Sequence, residues 1–106
     1  MISNLEKLIG TPRDGALLRY SLGLEYEKAG RRADAAAQLR EAVSRDPGYS
    51  AAWKALGRVL AEESPQDALA AFRNGIEAAK RKGDRQAEKE MTVFARRIEK
   101  KLGGAG

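Results

Sequence analysis

A repeat of 34 residues constrains this chain more than any single residue does. Leu22, Gly23, Tyr26, Leu39 and Ala42 in one unit are answered by Leu56, Gly57, Leu60, Phe72 and Gly75 in the next. The offset is 34 from Leu22 to Leu56 and 33 from Leu39 to Phe72, so the second unit has lost one residue in its turn. Such a period marks a solenoid, in which one supersecondary unit cannot bury its apolar face alone and stacks on its neighbours. Gly23 and Gly57 fall inside helical patterns, where glycine costs roughly 0.5–1 kcal/mol relative to alanine. Their recurrence predicts a place in each unit where a second helix comes close.

Punctuation divides the chain further. Thr11-Pro12, Asp46-Pro47 and Ser64-Pro65 each join a capping residue to a proline. Proline at the first helical position wastes no hydrogen bond, and the preceding side-chain oxygen caps a free amide. Gly30 and Gly83 read as helix stops. Helices are therefore predicted over 2–9, 12–29, 32–45, 47–62, 65–81 and 84–102. Together they make one domain over 1–102, with an N-terminal capping helix in 1–10, a first unit over 12–46, a second over 47–82 and a C-terminal capping helix over 84–102. Residues 103–106 read as a disordered tail. Leu5 and Leu8 lie 34 residues before Leu39 and Ala42, so the first helix reads as the second half of a truncated unit. On the last helix Ala87, Met91, Phe94, Ile98 and Leu102 form one apolar stripe.

The Leu-Gly pairs, Tyr26, Ala35, Leu39, Ala42, Pro47, Trp53, Ala68 and Phe72 together resemble the tetratricopeptide repeat pattern. That pattern sets an aromatic, a Leu-Gly pair and a Tyr on a first helix, then small and aromatic residues on a second, then a Pro. Arg19 stands where the pattern prefers a large aromatic, and no Pro follows the second unit. The resemblance implies an all-α fold, a right-handed α-solenoid of antiparallel helix pairs with about six helices. It also implies a protein-interaction role, with the first helix of each unit lining a concave groove. The packing stripe would then be Leu18, Leu22 and Tyr26, followed by Trp53, Leu56 and Leu60. The groove would carry an apolar end at Leu17, Tyr20 and Leu24 and a basic end at Lys54 and Arg58; alternatively Leu17, Tyr20 and Leu24 pack on the capping helices and Lys54 and Arg58 are merely solvated. Chaperone-binding members of the family clamp a terminal carboxylate with Lys and Asn side chains; the first helices here hold no Asn.

Catalytic chemistry finds little to work with. The chain has no His and no Cys, which excludes an imidazole base, a thiolate nucleophile and a His- or Cys-ligated zinc. No phosphate-cradling loop is present, because Gly10 to Gly15 lacks the Lys-Ser/Thr ending. Neither enzyme activity, a cofactor nor a metal is expected. No run of 18 apolar residues and no signal segment stand out, so the expected setting is the cytoplasm. The expected partner is a protein or peptide of acidic character, with no small-molecule substrate and no membrane, and the chain itself a monomer or weak homo-oligomer. The charge offers an alternative. Residues 1–72 hold ten Lys/Arg and ten Asp/Glu, whereas 73–106 hold ten and five, which accounts for the entire +5. Arg85, Lys89, Arg96 and Lys100 form a basic stripe that serves first as the soluble outer face a capping helix needs, and otherwise suits nucleic acid or another acidic polymer. A helical unit that self-associates to bury leftover apolar surface is a third reading.

Overall fold

The computed structural model describes residues 1–103 and holds, among them, six helices and no strand. They are α1 (Ile2–Glu6), α2 (Ala16–Lys28), α3 (Arg32–Arg45), α4 (Ser50–Leu60), α5 (Pro65–Lys82) and α6 (Arg85–Leu102). Helices α2 and α3 form one pair and α4 and α5 the next, while α6 packs on α5 and α1 on α2. Helix α4 also touches α2 and α6, so the three first helices stand in one row. Residues 104–106 of the predicted tail lie outside the described residues; Gly103 itself caps α6, donating its N–H to the Glu99 carbonyl at 2.8 Å.

Close approach at the glycines explains the repeat. A Cβ added to Gly23 would meet Leu39 Cγ at 2.6 Å, and one added to Gly57 would meet the Phe72 ring at the same distance. In α5 the small residue is Gly75, which lies against Met91 and the Cβ of Trp53. The large residue has thus moved to α6, where Met91 is fully buried. Phe72, Leu22, Leu39 and Met91 are the largest fully buried side chains. Each contributes on the order of 1.5–3 kcal/mol by leaving water. Leu5 and Leu8 cover the first unit as half-buried residues, and the Tyr26 hydroxyl donates to the Glu6 carboxylate. On α6 the buried line is Met91, Ala95 and Ile98. The predicted stripe is therefore turned slightly outward: Phe94 and Leu102 are partly exposed, and Ala95 takes the inner place.

Two of the three proline starts are corrected. Helix α2 begins at Ala16 rather than near 12, and α4 at Ser50 rather than near 47. Proline's fixed φ suits the second place of a β-turn as well as a first helical turn. The side chains decide. Thr11 Oγ1 accepts from Arg13 N–H, and Asp46 Oδ1 accepts from Gly48 N–H, each closing a local turn. Only Ser64-Pro65 opens a helix directly, and there the serine side chain makes no capping bond. Capping by a side chain occurs instead at Asp84, which accepts from Ala87 N–H at 3.0 Å. Gly30 and Gly83 do adopt the left-handed conformation of a helix stop. Helices α1 and α4 also end earlier than the sequence predicts, at Glu6 and Leu60.

Arg19 shows how a charged residue replaces an aromatic. Its guanidinium grips Asp14 through two parallel hydrogen bonds of 2.9 and 3.0 Å and reaches Gln38 at 3.0 Å. Asp14 also accepts from Gly10 N–H and pairs with Arg45. The Arg19 hydrogen bonds, then the Gly10 amide, hold the Asp14 carboxyl well below its ordinary value of 3.8. In the unfolded chain that carboxylate takes up a proton first. Its contribution to stability is therefore present above about pH 4 and is lost as the pH falls below that value. The melting-temperature gap between the parent protein and Asp14→Asn should be constant above about pH 5 and narrow steadily towards about pH 3. Melting curves that stay parallel down to that pH would contradict the ion pair. Trp53, the residue equivalent to Arg19, is half-buried rather than a core side chain, because its indole N–H reaches out to the Pro47 carbonyl at 2.7 Å.

Candidate functional site

The row α2–α4–α6 presents one continuous face, built from the side of each helix that does not pack on its paired helix. Leu17 stands at its start, 68% exposed, a large value for a leucine in a helix. Tyr20, one turn on, is half-buried with its ring centroid 4.9 Å from that of Tyr49. Leu24 packs half-buried against the core. These three thus keep one line on α2, but only Leu17 is freely presented.

Lys54 and Arg58 do not stand together as a free basic end. Arg58 turns to α2 and holds Glu27 through two hydrogen bonds of 2.7 and 2.8 Å. Lys54 turns to α6 and meets Glu90 at 3.2 Å. The Arg58 hydrogen bonds draw the Glu27 carboxyl below its ordinary value, and Glu27 in turn raises Arg58. The Arg58–Glu27 pair is solvent-exposed and the Lys54–Glu90 pair partly so, and each adds only about 0–1 kcal/mol. Their effect is geometric: they tie α4 to its two neighbours and aim both cations sideways along the row. The sequence carried a signal for the first tie. Glu27 and Arg58 lie 31 residues apart, one unit less one helical turn, which is the spacing of diagonal neighbours on adjacent first helices.

Beyond Arg58 the row opens. Ala61, Phe72, Phe94 and Ile98 line a cleft of about 290 Å³ between α4 and α6, rimmed by Arg58, Glu62, Arg97 and Lys101. Its floor is mostly apolar. The Phe72 and Phe94 rings stack with centroids 5.4 Å apart, and the Arg97 guanidinium lies 6.0 Å from the Phe94 ring. Nothing in the repeat pattern alone marks this cleft, because Phe72 and Phe94 both read as core residues.

The basic stripe of α6 is present as a surface feature. Arg85, Lys89, Arg96 and Lys100 are all exposed, and among the described residues none of them pairs with a carboxylate. Phe94, the aromatic of α6, lines the cleft rather than the stripe, so the stripe lacks a ring on which a base would stack. Among the described residues no helix is long and apolar enough to cross a membrane.

Comparison with known proteins gives concordant results. The family model described as tetratricopeptide repeat matches residues 16–59. The chain is 45% identical over 103 residues to the TPR repeat-containing protein PA0015 of Pseudomonas aeruginosa, covering 94% of this chain and 96% of that protein. Among solved structures, the solution structure of protein BPP2914 from Bordetella parapertussis is similar with a TM-score of 0.78 and 36% identity, over 95% of this chain and 89% of that one. A tetratricopeptide repeat domain protein from Salinibacter ruber, also solved in solution, is similar with a TM-score of 0.75 and 28% identity, over 83% of this chain and 89% of that one.

Proposed function

Because the chain belongs to the tetratricopeptide repeat family, whose members are typically non-catalytic protein-interaction modules, we propose that it binds a segment of a partner protein along the α2–α4–α6 row. The observation that supports this reading best is the open apolar cleft at the end of the row, beside Arg97 and Lys101, which among the described residues pair with no carboxylate. The partner segment would rest an apolar side chain on Leu17 and Tyr20 at the start of the row and carry acidic groups towards α6. Arg58 contributes while still held by Glu27, since the pair uses its Nε and one terminal nitrogen and leaves the other free to donate. Lys54 serves similarly beside Glu90.

A second reading keeps the basic stripe as the working surface, favoured by four cations that pair with no carboxylate among the described residues. Salt separates the two. Binding to nucleic acid through Arg85, Lys89, Arg96 and Lys100 should fall by about a thousandfold or more if six or more phosphates are contacted as salt rises from 50 to 200 mM. Binding anchored by apolar contacts on the row should fall far less. The test is affinity capture from the source cells with three proteins: the parent, Leu17→Ala/Tyr20→Ala/Phe94→Ala, and a variant with the four stripe cations changed to Gln. The row variant should lose a captured protein that the stripe variant retains. The opposite pattern, with nuclease-sensitive capture, would establish the stripe instead.

A further inference from the structure

The cleft between α4 and α6 has an apolar floor where the preceding junction of the repeat carries an ion pair. At the first junction, Arg58 of α4 crosses to Glu27 of α2, and the hollow of about 360 Å³ beside that pair is lined mostly by charged side chains. One unit later the equivalent residues, at an offset of 34, are Thr92 and Ala61. Neither can span the gap. Thr92 donates its hydroxyl back to the Glu88 carbonyl of its own helix, and Ala61 has no side chain to offer. The apolar floor beneath is left open. Phe94 is 37% exposed, whereas its equivalents one and two units earlier, Leu60 and Tyr26, are 8% and 5% exposed.

Size and charge define what fits. The cleft, about 290 Å³, lies at the lower edge of the roughly 300–1,000 Å³ of pockets that enclose a whole drug-sized ligand. A single bulky side chain is the better match. Two stacked phenylalanines favour an aromatic one, because ring pairs add attraction beyond the area they bury. The rim is unequal in charge. Glu62 lies 3.3 Å from Arg32, and Arg58 is held by Glu27. Arg97 and Lys101 pair with no carboxylate among the described residues. They are four apart on α6, so both heads reach the same mouth.

From these observations we infer that the α4–α6 cleft is the specificity pocket of the binding row, taking one phenylalanine- or leucine-sized side chain of an acidic partner segment. A carboxylate next to that side chain meets Arg97 and Lys101. The guanidinium supplies paired donors in one plane and the ammonium a point charge. The partner is thus a peptide segment in which a large apolar residue is flanked by Asp or Glu. The inference rests on the reading of the α2–α4–α6 row as the binding surface and adds what that surface selects.

The missing bridge suggests the test. Ala61→Glu/Thr92→Arg rebuilds beside the cleft the pair that Glu27 and Arg58 form one unit earlier, and so covers its apolar floor with a charged pair without removing any core residue. The probe is a fluorescein-labelled peptide of Asp, Glu, Gly and Ser around one central Phe, followed by fluorescence anisotropy. A twin carries Ala in place of Phe, and another carries Lys in place of the acids. Both twins should bind the parent protein at least about tenfold more weakly than the Phe peptide. Ala61→Glu/Thr92→Arg should lose at least about tenfold in affinity while its circular dichroism and melting temperature stay at or above the parent's. Arg97→Gln/Lys101→Gln should lose several-fold and lose most of its salt dependence. If the bridged variant unfolds, Phe94→Ala replaces it with the same expected loss. Equal binding of the Phe and Ala peptides, or full affinity in a folded variant with the cleft closed, would overturn the inference. So would concentration-dependent dimers that the bridged variant abolishes, since the occupant would then be a second copy. A Phe peptide that fails to bind at all overturns it too, yet leaves the broader reading to stand or fall on capture that depends on Leu17 and Tyr20.

Discussion

Phe72→Ala should lower stability by about 3–5 kcal/mol, the range for emptying a buried aromatic site. Phe72 is the largest fully buried side chain among the described residues, and it is packed from two further helices. Gly57 lies against the ring from α4, and Phe94 stacks on it from α6. Alanine leaves a hole where three helices meet, and the helices cannot collapse into it without breaking the contacts that set their spacing. Since a domain of this size has only about 5–15 kcal/mol in all, the loss is a large fraction of the whole. It corresponds to a fall in melting temperature of about 12 °C or more. Urea denaturation of the parent and the variant measures it directly. A shift of less than about 1 kcal/mol would show that the ring is not packed as described. Phe94→Ala provides the contrast: the same ring at a partly exposed place should cost less.

How far this architecture could be read from sequence depends on which forces set each feature. Close helix approach leaves a mark in composition, because only a small residue permits it. Gly23 with Leu39, and Gly57 with Phe72, could be matched by the period alone, and α3 falls over the predicted 32–45. Prolines were less informative. Pro12 and Pro47 lie in turns whose geometry is settled by Thr11 and Asp46, and the same φ would have served a helix. Periodicity also fixes a helix face only to within part of a turn. A rotation that small exchanges Phe94 for Ala95 in the interior of α6.

The site was harder to read than the fold. Which residues lie along the row followed from the repeat, but what they do there did not. Lys54 and Arg58 share a helix face, yet their long side chains turn to opposite neighbours because Glu90 and Glu27 stand there. Such pairing depends on three-dimensional reach rather than on spacing along one helix. The cleft is a still subtler case, since what sets it apart is an apolar floor where the first junction carries an ion pair. Only a comparison of Glu27 with Ala61 and of Arg58 with Thr92 across units reveals it, and that comparison gains meaning once the first bridge is seen.

Gly57→Leu should also destabilise, by about 1–3 kcal/mol or more, and against the trend of helix propensity. Leucine is favoured over glycine in a helix interior by several tenths of a kcal/mol to about 1 kcal/mol, so an isolated helix would gain. Here the added Cβ would lie 2.6–2.7 Å from three atoms of the Phe72 ring, closer than real carbon atoms approach. Phe72 cannot swing away, because Phe94 stacks against it. The strain must then be relieved by parting α4 from α5, the contact on which the second unit is built. A double-mutant cycle isolates the cause. In the Phe72→Ala background the new leucine enters the space that the ring has vacated. The double variant should therefore be more stable than the sum of the two losses predicts, by about 0.5–3 kcal/mol. Strict additivity would mean that residue 57 and residue 72 do not share one space, and a rise in stability for Gly57→Leu alone would mean that the helices are not in close approach there.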